Sequence, residues 1–307
     1  MTEPTLHQLV AEELALPVDP RVGEMAAAIA ARYEGAARAV LFYGSCLRSS
    51  ELDGQMLDFY LIVSSYRAAY GRSWLAGANK LIPPNVFPFA HSGLIAKYAV
   101  LSEADFQREC GMKARSVSVW ARFAQPSRLV WSAGPVAAER VVRAVTEAPQ
   151  TLLQFTLPGS GTQATSLPDL WKRGFQLTYG AELRAERKDR SESVVDASPE
   201  RYERFGLAAL AEIARRAGVG PNGGVALIDR PDRMERRWRR MQRKGKVLSM
   251  LRLAKASGTY AGGIDYLAWK INRHAGTSVA IKPWQRRFPL LAALILLPRL
   301  LRRGAIG

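Results

Sequence analysis

The most informative stretch of the chain, from Val40 to Val63, reads VLFYGSCLRSSELDGQMLDFYLIV. Its two apolar runs, VLFY and FYLIV, flank a Gly-Ser turn and a short polar loop, which predicts buried strands at 39–43 and 57–63. Asp58 lies at the head of the second run. Because a carboxylate in a buried strand is costly unless a cation meets it, we expect Asp58 to hold a positively charged group.

The flanking sequence predicts a mixed α/β (α+β) fold. Residues 5–34 carry apolar positions at helical spacing, interrupted by prolines, and so predict two helices before the first strand. The run GLIAKYAVLS at 93–102 predicts a further strand, with a helix starting after Ser102 because acidic residues follow this capping serine. A last strand is predicted at 127–131.

The charge of the chain points to a polyanionic partner. The 307 residues carry a formal net charge of +17, with a pI near 10.3, and their 48% hydrophobic content suits a packed core rather than disorder. Nucleic acid, an anionic membrane surface and a phosphorylated substrate all fit this charge. Charge alone does not choose among them.

The sequence does not favour a disulfide, a zinc site, a targeting signal or a membrane-spanning helix. Cys46 and Cys110 lie far apart and predict two free buried thiols rather than a disulfide or a zinc site. The first residues lack the pattern of a secretory or mitochondrial signal, and we expect none. The apolar segment FPLLAALILL at 288–297 has ten residues, too few for the ~20 that cross a bilayer as a helix.

The Gly-Ser turn and Asp58 together suggest nucleotide chemistry. A strand ending in Gly-Ser, followed by a strand that bears an acid, is the arrangement of polymerase-beta-like nucleotidyltransferases, in which the turn approaches a triphosphate and carboxylates hold Mg²⁺. By spacing alone the pattern is weak, since a lone strand aspartate is more often a turn or capping residue. Tyr60 also stands where a second acid is usual.

Five segments in order strengthen this interpretation. They are YGSCLRS (43–49), MLDFYLIV (56–63), LIAKYAVLS (94–102), VSVWARFAQPSRLV (117–130) and TYGAELRAE (178–186). Together they resemble the phosphatidate cytidylyltransferases of the mitochondrial translocator assembly and maintenance type, which have bacterial relatives. The resemblance implies an enzyme that uses CTP, phosphatidic acid and Mg²⁺ to make CDP-diacylglycerol and pyrophosphate.

The resemblance also implies roles for individual residues. Gly44 and Ser45 correspond to the turn that grips the triphosphate, and Asp58 and Glu182 to the metal ligands. Lys97 corresponds to the catalytic strand lysine, which would contact the triphosphate, and Arg184 to the arginine that binds the nucleotide. The chain departs from the family where Cys46 replaces a glycine and where Ser64 and Ser65 replace acids.

Each of these assignments has a simpler alternative. Lys97 could be a strand lysine that reaches solvent, and Glu182 and Arg184 could be an exposed, solvated pair. His91 lies in a predicted loop and has no nucleophile pattern beside it, while Asp53 in Asp-Gly is most simply a turn residue.

The basic C-terminal part predicts a membrane-docking region. Arginine and lysine dominate residues 233–246, and a second basic pair precedes the apolar segment. Residues predicted to contact the membrane are Arg236, Arg237, Trp238, Arg239, Arg240, Trp284, Arg286, Arg287, Leu291 and Leu294. A buried C-terminal helix is the structural alternative. Nucleic acid fits the charge, but no nucleic-acid module is recognisable, and an apolar tail has no purpose on RNA.

These features predict three regions and one preferred function. We expect a nucleotidyltransferase domain at 1–150, a mostly helical extension closing the active site at 151–230, and a basic amphipathic membrane-docking region at 231–307. The preferred function is peripheral phosphatidate cytidylyltransferase at the cytoplasmic face of the bacterial inner membrane. Two alternatives remain: a nucleotidyltransferase that acts on RNA or another phosphorylated acceptor, and a non-catalytic membrane or nucleic-acid binding protein with a degenerate site.

Overall fold

The computed structural model describes most of the chain, and within that part a five-stranded sheet is covered by helices. The described residues are 3–49, 51–157, 166–181, 194–218, 231–259 and 282–283. The strands are β1 (Ala37–Tyr43), β2 (Met56–Val63), β3 (Asn85–His91), β4 (Leu94–Ser102) and β5 (Ser127–Ser132).

The helices fall into two groups along the chain. Those that precede the strands or alternate with them are α1 (Leu6–Ala15), α2 (Pro20–Ala31), α3 (Ser45–Ser49), α4 (Tyr66–Tyr70), α5 (Trp74–Leu81), α6 (Glu103–Cys110) and α7 (Trp120–Phe123). Those that follow are α8 (Pro135–Thr156), α9 (Leu167–Ala181), α10 (Pro199–Arg216) and α11 (Pro231–Thr259).

The sheet is mixed, with strand order β3-β4-β2-β1-β5. Strands β2 and β4 run parallel, and the other neighbouring pairs are antiparallel. The four predicted strands are confirmed, and so is the mixed α/β class. Strand β3 was not predicted, since Pro88 interrupts its pattern; the sheet tolerates this proline because β3 is an edge strand.

Both faces of the sheet are buried, which explains why β1 and β2 are almost continuously apolar. One face, with Leu41 and Ile62, lies in a hydrophobic cluster that also takes in residues of α1, α6, α7 and α8. The other face, with Phe42 and Phe59, belongs to a second cluster with residues of α2. Asp58, directly opposite Lys97 across the β2–β4 pair, therefore lies in a sheet covered on both sides.

Local signals fix the helix starts that the sequence predicted. Thr5 forms a capping box with Gln8 at the start of α1, and the Asp19 side chain accepts from the main-chain N–H of Arg21 at the start of α2. Ser102 caps α6 by accepting a hydrogen bond from the N–H of Asp105. The two predicted N-terminal helices and the helix after Ser102 are therefore confirmed.

One hydrophobic cluster extends from Leu6 in α1 to Met241 in α11 and takes in residues of each of the predicted regions. The predicted boundary at residue 150 falls inside α8. The division into three regions itself stays a prediction. Across the described ranges, no helix combines the length and the apolar character that crossing a membrane requires.

Helix α11 packs closely on the rest of the fold despite its basic composition. Trp238 and Met241 are buried, and α11 contacts α8, α9 and β3. The helix approaches α9 so closely at Gly245 that a side-chain carbon there would overlap the carbonyl oxygen of Ala181. Glycine at this position therefore sets the distance between the two helices.

We expect Gly245→Ala to destabilise the protein by about 1–3 kcal/mol, because the added methyl forces α11 away from α9. Gly180→Ala is the matched control, since nothing lies within 4 Å of its added carbon. That variant should be neutral or gain up to about 1 kcal/mol from helix propensity. Denaturant unfolding of both variants tests this, and equal effects would contradict the close crossing.

Candidate functional site

Gly44 places the turn after β1 directly against Asp58. Its φ of 101° lies in a region that L-residues rarely adopt, and an added carbon would lie 3.1 Å from Oδ2 of Asp58. Glycine is thus required here both by the backbone conformation and by the close approach. Ser45 follows immediately as the first residue of the short helix α3.

Lys97 supplies the cation that Asp58 requires. The two residues are direct partners across the parallel β2–β4 pair, and the distance from Nζ of Lys97 to Oδ1 of Asp58 is 3.1 Å. The Asp58 side chain is 20% exposed and that of Lys97 36% exposed, so the pair opens partly to solvent. Oδ1 therefore faces Lys97, while Oδ2 faces the Gly44 turn.

A cavity of about 180 Å³ opens beside this pair, and cationic side chains form a large part of its lining. Side chains from the sheet, α7 and α11 line it, including the aromatic rings of Tyr43 and Tyr60. Four cationic side chains also line it: Lys97, Arg122, Arg252 and Lys255. No acidic residue is among the described residues that line it. Such a cavity favours an anionic ligand, because its low-dielectric walls strengthen the field of the cations.

Helix α11 delivers two of these cations. Arg252 donates to the carbonyl oxygen of Pro83 at 2.7 Å, to Oγ of Ser118 at 2.5 Å and to Oγ of Ser116 at 3.2 Å. Lys255 donates to the carbonyl oxygens of Ile82 and Pro84, the latter at 2.9 Å. These bonds to neutral acceptors fix the end of α11 over the cavity.

Burial shifts the protonation of two groups in the cavity. It lowers the pKa of Lys255 to about 7, and the nearby positive charge of Arg252 adds to the effect. Burial raises the pKa of Tyr43 well above its usual value; the negative charge of Asp58 adds to this, while Arg122 opposes it. The Tyr43 hydroxyl therefore stays neutral, whereas Lys255 can change its charge near neutral pH.

The structure brings together Gly44, Asp58 and Lys97, three of the residues that the sequence predicted for one site. Two more, Glu182 and Arg184, lie outside the described residues, as do the predicted membrane contacts Trp284, Arg286, Arg287, Leu291 and Leu294. In the part of the chain that the structure describes, no group of three or more acidic, histidine or cysteine side chains could hold a metal ion.

The other singled-out residues have structural partners. Asp53 binds Arg21 at 2.9 Å, and His91 at the end of β3 stacks on Phe89. Cys46 and Cys110 are free and buried, as predicted.

The predicted membrane contacts on α11 differ in exposure. Arg236, Arg239 and Arg240 are exposed and, together with Arg243 and Lys244, line an open groove. Trp238, by contrast, is only 8% exposed, and its ring lies 5.9 Å from that of Phe155. Arg237 is half-buried over the same Phe155 ring. Trp238 thus packs in the core, because the helix turns this side toward α8.

The sequence interpretation missed Arg122, Arg252 and Lys255. A signal for two of them was present, since Arg252 and Lys255 lie three residues apart in the largely apolar run VLSMLRLAKA at 247–256. Residues at this spacing share a helix face, so two cations among apolar residues indicate a buried anionic or carbonyl partner.

No protein-family model matches this chain, and no curated protein shows a significant match to it.

We expect Gly44→Ala to lose more stability than Gly54→Ala, by on the order of 1 kcal/mol. Both glycines have positive φ, but nothing lies within 4 Å of a carbon added at Gly54, whereas one at Gly44 presses on Asp58. Gly54 has φ 70°, which alanine adopts at lower cost than the φ of 101° at Gly44, so the excess loss at Gly44 combines backbone strain with the Asp58 contact. Chemical denaturation of the two variants gives the comparison, and equal losses would show that the Asp58 contact adds nothing.

Proposed function

We propose that this chain is a nucleotidyltransferase that transfers a cytidylyl group from CTP to phosphatidic acid, with Mg²⁺, to give CDP-diacylglycerol and pyrophosphate. The observation that carries the proposal is the contact of the Gly44 turn with Asp58, which is paired with Lys97 beside a cationic cavity. Phosphoryl transfer needs positioning and charge neutralisation more than covalent help from the protein, and this arrangement supplies both.

The proposed reaction is an in-line displacement at the α-phosphorus of CTP. An oxygen of the acceptor phosphate forms the new bond to this phosphorus, and the bond from the α-phosphorus to the bridging oxygen breaks, so that pyrophosphate leaves with the electron pair. The Gly44–Ser45 turn would hold the triphosphate, and Lys97 would stabilise the charge of the leaving pyrophosphate. The acceptor phosphate is already ionised near neutral pH, so little general-base help is needed.

The described residues fit a magnesium ion that arrives with the nucleotide. Mg²⁺ in such sites is usually held by one or two carboxylates together with substrate phosphates and water, and Asp58 offers one carboxylate. Its Oδ2 faces the turn at which the triphosphate would lie. When bound, the ion would neutralise charge on the phosphates. Glu182 stays the predicted second ligand.

The location of the basic residues on α11 favours a lipid acceptor. Exposed cations occupy the helix up to Lys244, and the cavity cations begin at Arg252. Since an α-helix rises 1.5 Å per residue, Arg243 and Arg252 are about 14 Å apart along the axis. Attachment of the groove to an anionic membrane surface would hold the cavity near the lipid headgroups. We therefore propose peripheral binding at the cytoplasmic face of a bacterial inner membrane.

A second candidate function is non-catalytic binding of anions. The ion pair of Asp58 and Lys97 favours it, because each side chain then already meets an opposite charge. In the described part of the chain, moreover, no cluster of acids accompanies Asp58. Such a protein would bind phosphates or an anionic surface without turnover.

We expect pyrophosphate release from CTP, in preference to the other three nucleoside triphosphates, only when phosphatidic acid vesicles and Mg²⁺ are present. Asp58→Asn should lower kcat by at least about 100-fold, because the variant loses the carboxylate at the triphosphate turn. Asp53→Asn, on the exposed neighbouring loop, is the control and should keep full activity.

The same assay separates the alternatives. If turnover requires RNA or a soluble phosphorylated acceptor, that molecule and not phosphatidic acid is the substrate. Equal rates for wild type and Asp58→Asn would refute the catalytic role of this residue. Phosphate binding without any turnover would favour the non-catalytic candidate.

We expect the triple variant Arg236→Glu, Arg240→Glu and Arg243→Glu to lose at least about 100-fold in affinity for phosphatidylglycerol vesicles, since each charge near the surface contributes about 1 kcal/mol. The control reverses three exposed arginines elsewhere, namely Arg67, Arg72 and Arg204, and changes the net charge equally. Co-sedimentation measures both. Equal losses would mean that net charge, and not the α11 groove, attracts the membrane.

A further inference from the structure

Lys255 lacks a charged partner among the described residues, although it is buried. Only 7% of the residue is exposed, and its two acceptors are main-chain carbonyl oxygens. The nearby charged group that affects it is Arg252, which is also positive. Burying an ammonium group without an opposite charge costs several kcal/mol. An anion in the cavity would supply the opposite charge for Lys255.

The size of the cavity limits what this anion can be. A cavity of about 150 Å³ holds a molecule as large as benzene, and the cavity here measures about 180 Å³. One phosphate group with the first atoms of its ester fits such a space, whereas a whole nucleoside triphosphate does not. The aromatic and apolar walls from Tyr43, Tyr60 and Val86 suit the ester side of the ligand.

We propose that Arg252 and Lys255 of α11, with Arg122 of α7, form an anion subsite that binds the dianionic phosphate of a phosphomonoester. Lys97 lines the same cavity and also pairs with Asp58, so a phosphate bound there lies beside the place assigned to the nucleotide. That this phosphomonoester is the acceptor of the reaction rests on the proposed function. The anion subsite itself does not.

The subsite has a characteristic dependence on pH. The groups around Lys255 in the cavity are Tyr43 on β1, Tyr60 on β2, Lys97 on β4, Arg122 on α7 and Arg252 on its own helix. The pKa of Lys255 is lowered to about 7 by burial and by Arg252. A bound dianion favours the protonated amine, so binding above pH 7 requires uptake of a proton. The affinity should therefore fall as the pH rises through 7, by up to tenfold per pH unit.

Titration calorimetry of the full chain with inorganic sulfate between pH 6 and 8.5 tests the subsite. Sulfate is a dianion throughout this range, so any change in affinity with pH belongs to the protein. We expect wild type to bind and to weaken above pH 7, and Lys255→Met to bind at least tenfold more weakly at pH 6.5, with no pH dependence. Lys113→Met removes an exposed lysine that lies neither in the cavity nor in the α11 groove, and this control should match wild type.

A second variant tests the cavity without changing the contacts that hold α11. Arg122→Met removes a cavity cation that belongs to α7, and it should also weaken sulfate binding at least tenfold. Sulfate binding to this variant should still weaken above pH 7, because Lys255 is unchanged. Unchanged thermal unfolding establishes that each variant is folded. If Lys255→Met binds sulfate with the affinity and pH profile of wild type, the proposal is overturned, whatever the protein does with CTP.

Further ligands identify the source of the phosphate. We expect Lys255→Met to weaken binding of glycerol 3-phosphate and to raise the KM for phosphatidic acid vesicles, while the affinity for CTP stays unchanged. Weaker CTP binding with unchanged glycerol 3-phosphate binding would assign the subsite to the nucleotide and overturn the acceptor role. Sulfate binding that depends on Lys255, in a protein that turns over no nucleotide, would uphold the subsite and refute the proposed function.

Discussion

The ion pair between Asp58 and Lys97 is the contact on which the arrangement of the site depends. Asp58 lies in β2, in a sheet that is buried on both faces. The sheet tolerates a carboxylate there because Lys97 lies opposite it across the parallel β2–β4 pair. Gly44 allows the preceding turn to press on the same carboxylate. One register therefore fixes the turn, the acid and the cation in a single place.

Helix α11 carries exposed cations, buried core residues and cavity cations on one element. Its exposed arginines suit an anionic surface, whereas Trp238 and Met241 attach it to the core and Arg252 and Lys255 close the cavity. Placing several cations around one cavity opposes docking by mutual repulsion. Hydrogen bonds to carbonyl and hydroxyl oxygens offset part of this cost. A bound anion would relieve the repulsion further and so link ligand binding to the docking of the helix.

Much of the sheet could be predicted, because apolar runs and turn residues are local signals. Strand β3 could not, since Pro88 resembles a strand breaker until its edge position is known. Local patterns also could not predict which residues of α11 are exposed. A basic run predicts solvent or a membrane, and only the packing against α8 and Phe155 reveals that Trp238 is buried.

Local sequence signals and composition were enough to predict the two central strands, the glycine turn, the need of Asp58 for a cation and the excess of positive charge. These follow from side-chain period, backbone freedom and composition, which act over a few residues or over the whole chain. The tertiary structure alone decided that Lys97 is that cation and that Arg122, Arg252 and Lys255 share one cavity with it. Contacts between residues far apart in sequence depend on strand register and helix packing. Burial of the whole core selects both, and no local sequence pattern specifies them.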